Sequence, residues 1–425
     1  MQTRSKSRVL MPVNLKHFLA AFMVFAGLLM FAIIIWVVSL EYRGTFYNAA
    51  DAADLDGDGD LDVVLHNVGA ESESAAFSQT TLWINEGQGK FSPRQLDLPP
   101  YLYLSAAGGD VDGDKDADLV LLASHQLMFF LNQGGAQSGE AGVFKPSPVI
   151  PPPQNSGTQG AVVLGDLNND GSLDGFVSGC CGMSFSNPKD EQVYLPSISW
   201  IWLNSWNPQG WFEYQTIDLD ALHDLPIREA VLGDLDNNNT LDIFAAVQAP
   251  KPGRTSHPAD RVLWNDGSGQ FVDSGQRLGE SASTSVALGD LDSDGDLDAL
   301  VGTGTGSTVW INQGGEQDGK TGTFAAASND LGSDKTVDVF LEDLDGDGDL
   351  DALMFGTRHG SVWWNDGEGQ FDPSGQRFRY SERHGFTPGD FDRDGWIDIF
   401  AGEYSNDYVV WFNHGDGTFS TSPQP

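Results

Sequence analysis

Seven times along the chain, a run of small and β-branched residues leads into a short acidic phrase and an apolar run leads out of it. Ala161-Val162-Val163-Leu164-Gly165 and Val286-Ala287-Leu288-Gly289 are two of the lead-ins, and Leu297-Asp298-Ala299-Leu300-Val301 is one of the exits. The phrases begin at Asp54, Asp110, Asp166, Asp234, Asp290, Asp343 and Asp390, with spacings of 56, 56, 68, 56, 53 and 47 residues. Short apolar runs flanking a polar, Gly-rich turn predict two antiparallel strands in each repeat.

Each repeat then adds an aromatic run ending in Asn, followed by Gly and Phe, as in Trp83-Ile84-Asn85-Glu86-Gly87-Gln88-Gly89-Lys90-Phe91. The segments Trp264 to Phe271, Trp364 to Phe371 and Trp411 to Phe419 repeat it, and Asn132 to Phe144, Asn204 to Phe212 and Asn312 to Phe324 repeat it with looser spacing. These predict a third and a fourth strand joined by a Gly-rich hairpin. A four-stranded unit cannot bury both of its faces alone, whereas seven stacked radially can. The expected fold is all-β: a seven-bladed β-propeller of four-stranded blades spanning 41–425, with blades near 46–98, 102–150, 159–222, 228–282, 284–334, 336–382 and 384–421. The Trp and Phe of the third strands are expected to fill the gaps between blades rather than to bind anything.

The acidic phrases follow D-x-D-x-D-G-x-x-D. In the first, Asp54, Asp56, Asp58 and Asp62 occupy positions 1, 3, 5 and 9, and Gly59 occupies position 6. Alternate side chains of a tight loop converge on one centre, a position-7 carbonyl can join them, and the last Asp can bind through both oxygens. Those are hard oxygen ligands of the kind calcium takes. The fifth loop (Asp290, Asp292, Asp294, Asp298), the sixth (Asp343, Asp345, Asp347, Asp351) and the seventh (Asp390, Asp392, Asp394, Asp398) repeat the full pattern. The third has Asp166, Asn168, Asp170 and Asp174. The second (Asp110, Asp112, Asp114, Asp118) puts Lys115 in the glycine slot, and the fourth (Asp234, Asp236, Asn238, Asp242) puts Asn239 there. Up to seven Ca²⁺ ions are expected, firmest in loops 1, 5, 6 and 7. The competing reading is a set of Asx turns that hold no metal.

Charge sharpens this picture. The 425 residues carry 61 Asp and Glu against 22 Lys and Arg, a formal charge of −39, which repels phosphate backbones and argues against nucleic-acid binding. With 51 glycines, a turn-rich chain is expected. Phe18 to Leu40 is a 23-residue stretch without a charged side chain, preceded by Arg4, Lys6, Arg8 and Lys16 and no acid. It predicts a single transmembrane signal anchor over 18–40, a basic cytoplasmic tail over 1–17 and an extracytoplasmic propeller; a cleaved leader would leave the propeller secreted. The two cysteines, Cys180 and Cys181, are adjacent, so no disulfide framework holds the molecule. They are either free thiols or a strained vicinal pair.

With these motifs in register, the repeats resemble the FG-GAP or VCBS type of the integrin α-chain N-terminal seven-bladed propeller and of many secreted microbial proteins and lectins. The resemblance covers residues 46 to 421. It implies structural calcium between the first and second strands and ligand recognition on one face of the disc. The literal FG-GAP string is absent and the expected anchor is N-terminal, departures that argue against a true integrin. The seventh repeat leaves only Ser420 to Pro425 after Phe419, so its outer strand is expected to be short or completed by 41–45.

Up-and-down strands place all seven acidic loops on one face. The longer second-to-third loops of repeats 1, 3 and 4 fall on the other face, where Cys180, Cys181, Arg254, His257 and Arg358 are the candidate ligand residues. Basic residues favour that face, so an acidic glycan or a partner's carboxylates are the expected ligands. No nucleophile elbow, P-loop, dinucleotide fingerprint or zinc spacing accompanies these residues. The expectation is a membrane-anchored, non-enzymatic adhesion or surface-assembly protein that binds glycan or protein. Its alternatives are a carbohydrate-active enzyme such as a polysaccharide lyase, with His257 near Arg254 its one local hint, or an architectural subunit of a membrane complex.

Overall fold

The computed structural model describes residues 49–421 other than 69–77, 97, 100–102, 124–125, 135–141, 148–158, 180–183, 187–191, 195–196, 208–210, 220–221, 223–224, 249–258, 315–320, 329–330, 333, 381–383 and 404–406. The expected anchor at 18–40 and the segment 41–45 lie outside the described residues, as do Cys180, Cys181, Arg254 and His257. Among the described residues no helix is long and apolar enough to cross a membrane.

Seven four-stranded antiparallel sheets follow one another along the chain. Blade 1 is Ala49–Ala53, Asp62–Val68, Ser78–Asn85 and Phe91–Gln95, paired in that order. Blade 3 keeps the pattern although a small hairpin, Ser184–Ser186 with Gln192–Tyr194, interrupts it between the second and third strands. Blade 7 ends in a two-residue outer strand, Phe419–Ser420.

The periodicity of each strand follows from its place. Second strands such as Asp118–Ala123, Asp242–Val247 and Asp298–Thr303 are buried at every position, because neighbouring blades cover both faces. This explains their unbroken apolar runs. The third-strand aromatics do fill the gaps between blades: Trp83 packs on Phe400 and Tyr408, and Phe129 meets Trp202 edge-on with centroids 5.1 Å apart. First strands line the axis, each against its neighbour from blade 1 through blade 6 and from blade 7 back to blade 1. Blades 6 and 7 meet through aromatic rings, with Phe355 stacked on Phe386 at 4.0 Å and Tyr380 wedged 4.8 Å from Phe386.

Among the described residues, blade 7 is built from the last strands and blade 1 from the first, and the two meet through non-covalent contacts. Phe91, Phe391, Phe400 and Tyr408 form the apolar part of that seam. The Phe91 N–H donates to Tyr408 Oη (3.1 Å), and Arg393 reaches from loop 7 to Asp60 Oδ1 (2.5 Å) and to the Asp58 carbonyl (3.1 Å) of loop 1.

Carboxylates also sit near the axis. Ser285 of blade 5 donates to Asp338 Oδ1 of blade 6 (3.1 Å), and Glu229 of blade 4 accepts from the Val286 N–H (3.3 Å). Burial, and then the charge of Glu229, hold the Asp338 carboxyl well above the ordinary carboxylate range in spite of nearby Arg228. A carboxyl raised above its unfolded value stabilises the fold below about pH 4, and that contribution is lost as pH rises from there through the folded value. The Asp338→Asn variant is therefore expected to melt like the parent at pH 4 and several degrees above it at pH 9. Equal melting temperatures at pH 9 would contradict the assignment.

Candidate metal centres and the asparagine ring

Each acidic phrase forms the turn between the first and second strands of its blade. Its position-2 side chain, Leu55 in loop 1 and Phe391 in loop 7, is fully buried and pins the loop to the core. Position 6 takes a left-handed backbone: Gly295 has φ 90°, whereas Lys115 is held at 79° and Asn239 at 63°. A side chain other than Gly or Asn in that conformation costs roughly 1–2 kcal/mol, so the lysine of loop 2 is strained as its sequence predicts.

The loops gather their carboxylates. One oxygen from each of Asp54, Asp56 and Asp58 lies within 4.8 Å of the other two, and the same holds for Asp290, Asp292 and Asp294 and for Asp343, Asp345 and Asp347. Loops 2 and 4, which depart from the full pattern, instead bring together positions 1, 3 and 9: Asp110, Asp112 and Asp118, and Asp234, Asp236 and Asp242. In loop 3 the Asn168 amide donates to Asp170 Oδ2 (3.0 Å) while its oxygen accepts the Asp170 N–H (3.0 Å). In loop 7 Asp390 accepts the Asp394 and Gly395 N–H groups through its two oxygens (3.1 and 3.0 Å).

Position 9 has a second occupation that its motif does not announce. One oxygen of each such Asp accepts the position-2 N–H of its own loop at 2.8–3.2 Å. The other accepts the N–H of the Asn that ends the third strand, at 2.6–3.0 Å. Burial raises the position-9 carboxyls, to about 6 for Asp62 and about 7 for Asp118, Asp174, Asp242, Asp298, Asp351 and Asp398, and like charges within the loops push the same way. These carboxylates are structural hubs whatever else they bind.

The seven asparagines are the residues that sequence reasoning passed over. Asn85, Asn132, Asn204, Asn265, Asn312, Asn365 and Asn413 are all buried. Each donates its amide to the position-2 carbonyl of the preceding blade's acidic loop at 2.8–3.0 Å, and Asn85 closes the circle onto Phe391 of blade 7. In blades 1 to 5 the same amide also reaches the position-8 carbonyl of its own loop. In blades 1, 2, 4, 5 and 7 the side-chain oxygen accepts a glycine N–H of the third-to-fourth hairpin, as from Gly87 to Asn85 and from Gly322 to Asn312. In blades 1, 2, 4 and 5 one amide thus joins its own loop, its own hairpin and the neighbouring loop. The available signal was its recurrence in all seven repeats at a strand end.

On the opposite face, the described candidate is Arg358, exposed in the second-to-third turn of blade 6. Arg379, which the sequence already places beside the loops of this face, ends the outer strand Phe371–Arg379 and is exposed, and the structure adds exposed Arg377 two residues before it. Arg377 was missed because strand length, which decides the face it reaches, is not written in the spacing of the motifs.

An FG-GAP-like repeat model matches residues 54–121, 110–177, 234–301, 290–354 and 343–401. A comparison with curated proteins finds no match. Among solved structures, the chain resembles a lectin of Agrocybe aegerita described as recognising non-reducing terminal N-acetylglucosamine, at 19% identity over 88% of this chain and 89% of that one, with a TM-score of 0.45. BBS1N, solved in complex with ARL6DN, is 11% identical over 86% and 92% of the two chains, with a TM-score of 0.48. A protein from Lactobacillus plantarum is 11% identical over 85% and 96%, with a TM-score of 0.49. Likeness at this level bears on neither ligand nor partner. The matched repeats, each beginning at the first Asp of an acidic loop, make the chain a member of the FG-GAP-like repeat family.

Proposed function

We propose that this chain is a calcium-stabilised, non-enzymatic ligand-binding propeller, tethered through 18–40 and displayed outside the cytoplasm. The observation that carries the metal part is the donor set. Loops 1, 5 and 6 each bring three carboxylate oxygens within 4.8 Å of one another. Burial, and then the charges of Asp58 and Asp54, raise the Asp56 carboxyl in spite of nearby Arg94, which marks the cost of holding these groups together. A divalent cation, when bound, would supply the neutralising charge; Asp54, Asp56 and Asp58, with their counterparts in the other loops, would hold it. The position-2 anchors and the asparagine bonds pre-set the loop, so little order remains to be imposed on binding.

Ligand recognition is assigned to the calcium-free face, since the loops of the other face are committed to cation binding and to the asparagine ring. Glycan or protein is the expected ligand, in adhesion or surface assembly. The test is a glycan array probed with the full chain in detergent, with calcium and with EGTA. A calcium-dependent signal on defined glycans supports the reading. If the folded, calcium-loaded chain gives a blank array and in-cell crosslinking captures no protein either, the ligand-binding role is wrong.

A further inference from the structure

At the calcium-free end of blade 6, the register of the last two strands sets His359 opposite Arg379 and Ser361 opposite Arg377. Arg377 and Arg379 are two residues apart and flank buried Phe378, so both turn to the solvent side. Their Cα atoms are about 6.8 Å apart along the strand. The Arg377 guanidinium donates to His359 Nε2 (3.0 Å), and Asp334 Oδ2 lies 3.4 Å from the same nitrogen. Arg358 occupies the adjoining turn. Lys335 precedes the first strand of the blade, and its carbonyl comes up to the same hairpin beside Gly356. All four cations are exposed. The opposite end of the same blade carries Asp343, Asp345, Asp347 and Asp349. In a chain of net charge −39, one blade is thus polarised end to end.

We infer that this corner docks a carboxylated polysaccharide; the inference rests on the ligand-binding reading above and names the ligand class. Two arginines on one face of a strand present forks to successive carboxylates of an extended polymer, and Arg358 and Lys335 continue the positive track across the corner. An acidic peptide is the competing polyanion, and one route open to a peptide at a sheet edge is to pair as an added strand. This edge is broken against that. Between the pairs Ser361 with Arg377 and Trp363 with Pro373, the outer strand carries three residues opposite Val362 alone, Gly375 has φ 82°, and Pro373 has no N–H to offer. Recognition here runs through side-chain charge, which suits a polymer without a backbone ladder.

The experiment immobilises the full chain in detergent with calcium and measures binding of polygalacturonate, neutral dextran, dextran sulfate and poly-glutamate. Polygalacturonate is expected to bind in preference to all three. The Arg377→Glu/Arg379→Glu variant is expected to weaken it at least tenfold, and Arg377→Gln/Arg379→Gln to fall between, with melting temperatures unchanged because both sites are exposed. Unaltered polygalacturonate binding by the charge-reversed variant, or none by the parent, overturns the inference. Tighter binding of poly-glutamate points to a protein partner, and equal binding of dextran sulfate reduces the corner to an ion exchanger; either result overturns it. A neutral glycan from the array held equally by parent and variant sinks this site and leaves the ligand-binding reading standing.

Discussion

Adding excess EGTA to the calcium-loaded chain is expected to lower its melting temperature by on the order of 10–20 °C. Binding to the folded state alone stabilises by about 2.7 kcal/mol per site at a hundredfold excess over Kd. Four full-pattern loops saturated together would contribute roughly 11 kcal/mol, as large as the whole stability of many domains. The effect should be cooperative around the ring, because each loop's position-2 carbonyl is held by the asparagine of the next blade. Removing the cation from one loop frees carboxylates to repel one another and loosens the neighbour's anchor. The Asp292→Asn/Asp294→Asn variant is expected to bind at least one ion fewer than the parent by equilibrium dialysis and to lose more than a quarter of the EGTA-sensitive shift. Stoichiometry separates the loops further: four ions correspond to the full-pattern loops alone, seven to all. A melting temperature indifferent to EGTA, with no calcium retained on dialysis, would leave the acidic turns as Asx turns without metal.

The repeat number, the four strands per blade and the positions of the acidic loops were legible because each is written seven times. A run such as Leu119 to Ala123 is ambiguous alone, but the same run after every acidic phrase fixes strand and turn together. The strain of Lys115 was legible for the same reason, as a lysine in a slot that five copies fill with Gly and one with Asn. What stayed hidden depends on neighbours in space. The bonds from Asn132 to Leu55 and from Asn312 to Leu235 each cross 77 positions, and nothing local marks the amide as shared between blades. Position 9 looked like a simple metal ligand because the motif shows its charge and conceals the two N–H groups it already accepts. The polarised end of blade 6 was half legible: Arg358 follows from the turn, whereas Arg377 becomes relevant only when the outer strand runs nine residues to the far face.

Replacing Asn312 by Asp should be among the most damaging single changes in the molecule, although the two side chains have nearly the same shape. The native amide donates to the Leu235 carbonyl of blade 4 (3.0 Å) and the Leu297 carbonyl of its own loop (3.2 Å), while its oxygen accepts the Gly322 N–H (2.7 Å). The site is fully buried. An aspartate puts an acceptor against two carbonyls, close to Asp298, so it must either repel them as an anion or take up a proton. Asn312→Ala loses the same three bonds without adding charge and strands two carbonyls and one N–H, at about 1–3 kcal/mol for each group left unsatisfied. The expected order of stability by urea titration with calcium present is parent, then Asn312→Ala, lower by about 3–5 kcal/mol, then Asn312→Asp at neutral pH. Because a protonated aspartic acid can again donate, the Asp variant should recover part of its deficit against the Ala variant as pH falls toward 5, and its calcium affinity in loop 4 should suffer along with loop 5. An Asp variant as stable as the parent at pH 7 would mean that the asparagine ring is incidental to the propeller. Loss confined to loop 5 would mean that the blades bind their cations independently.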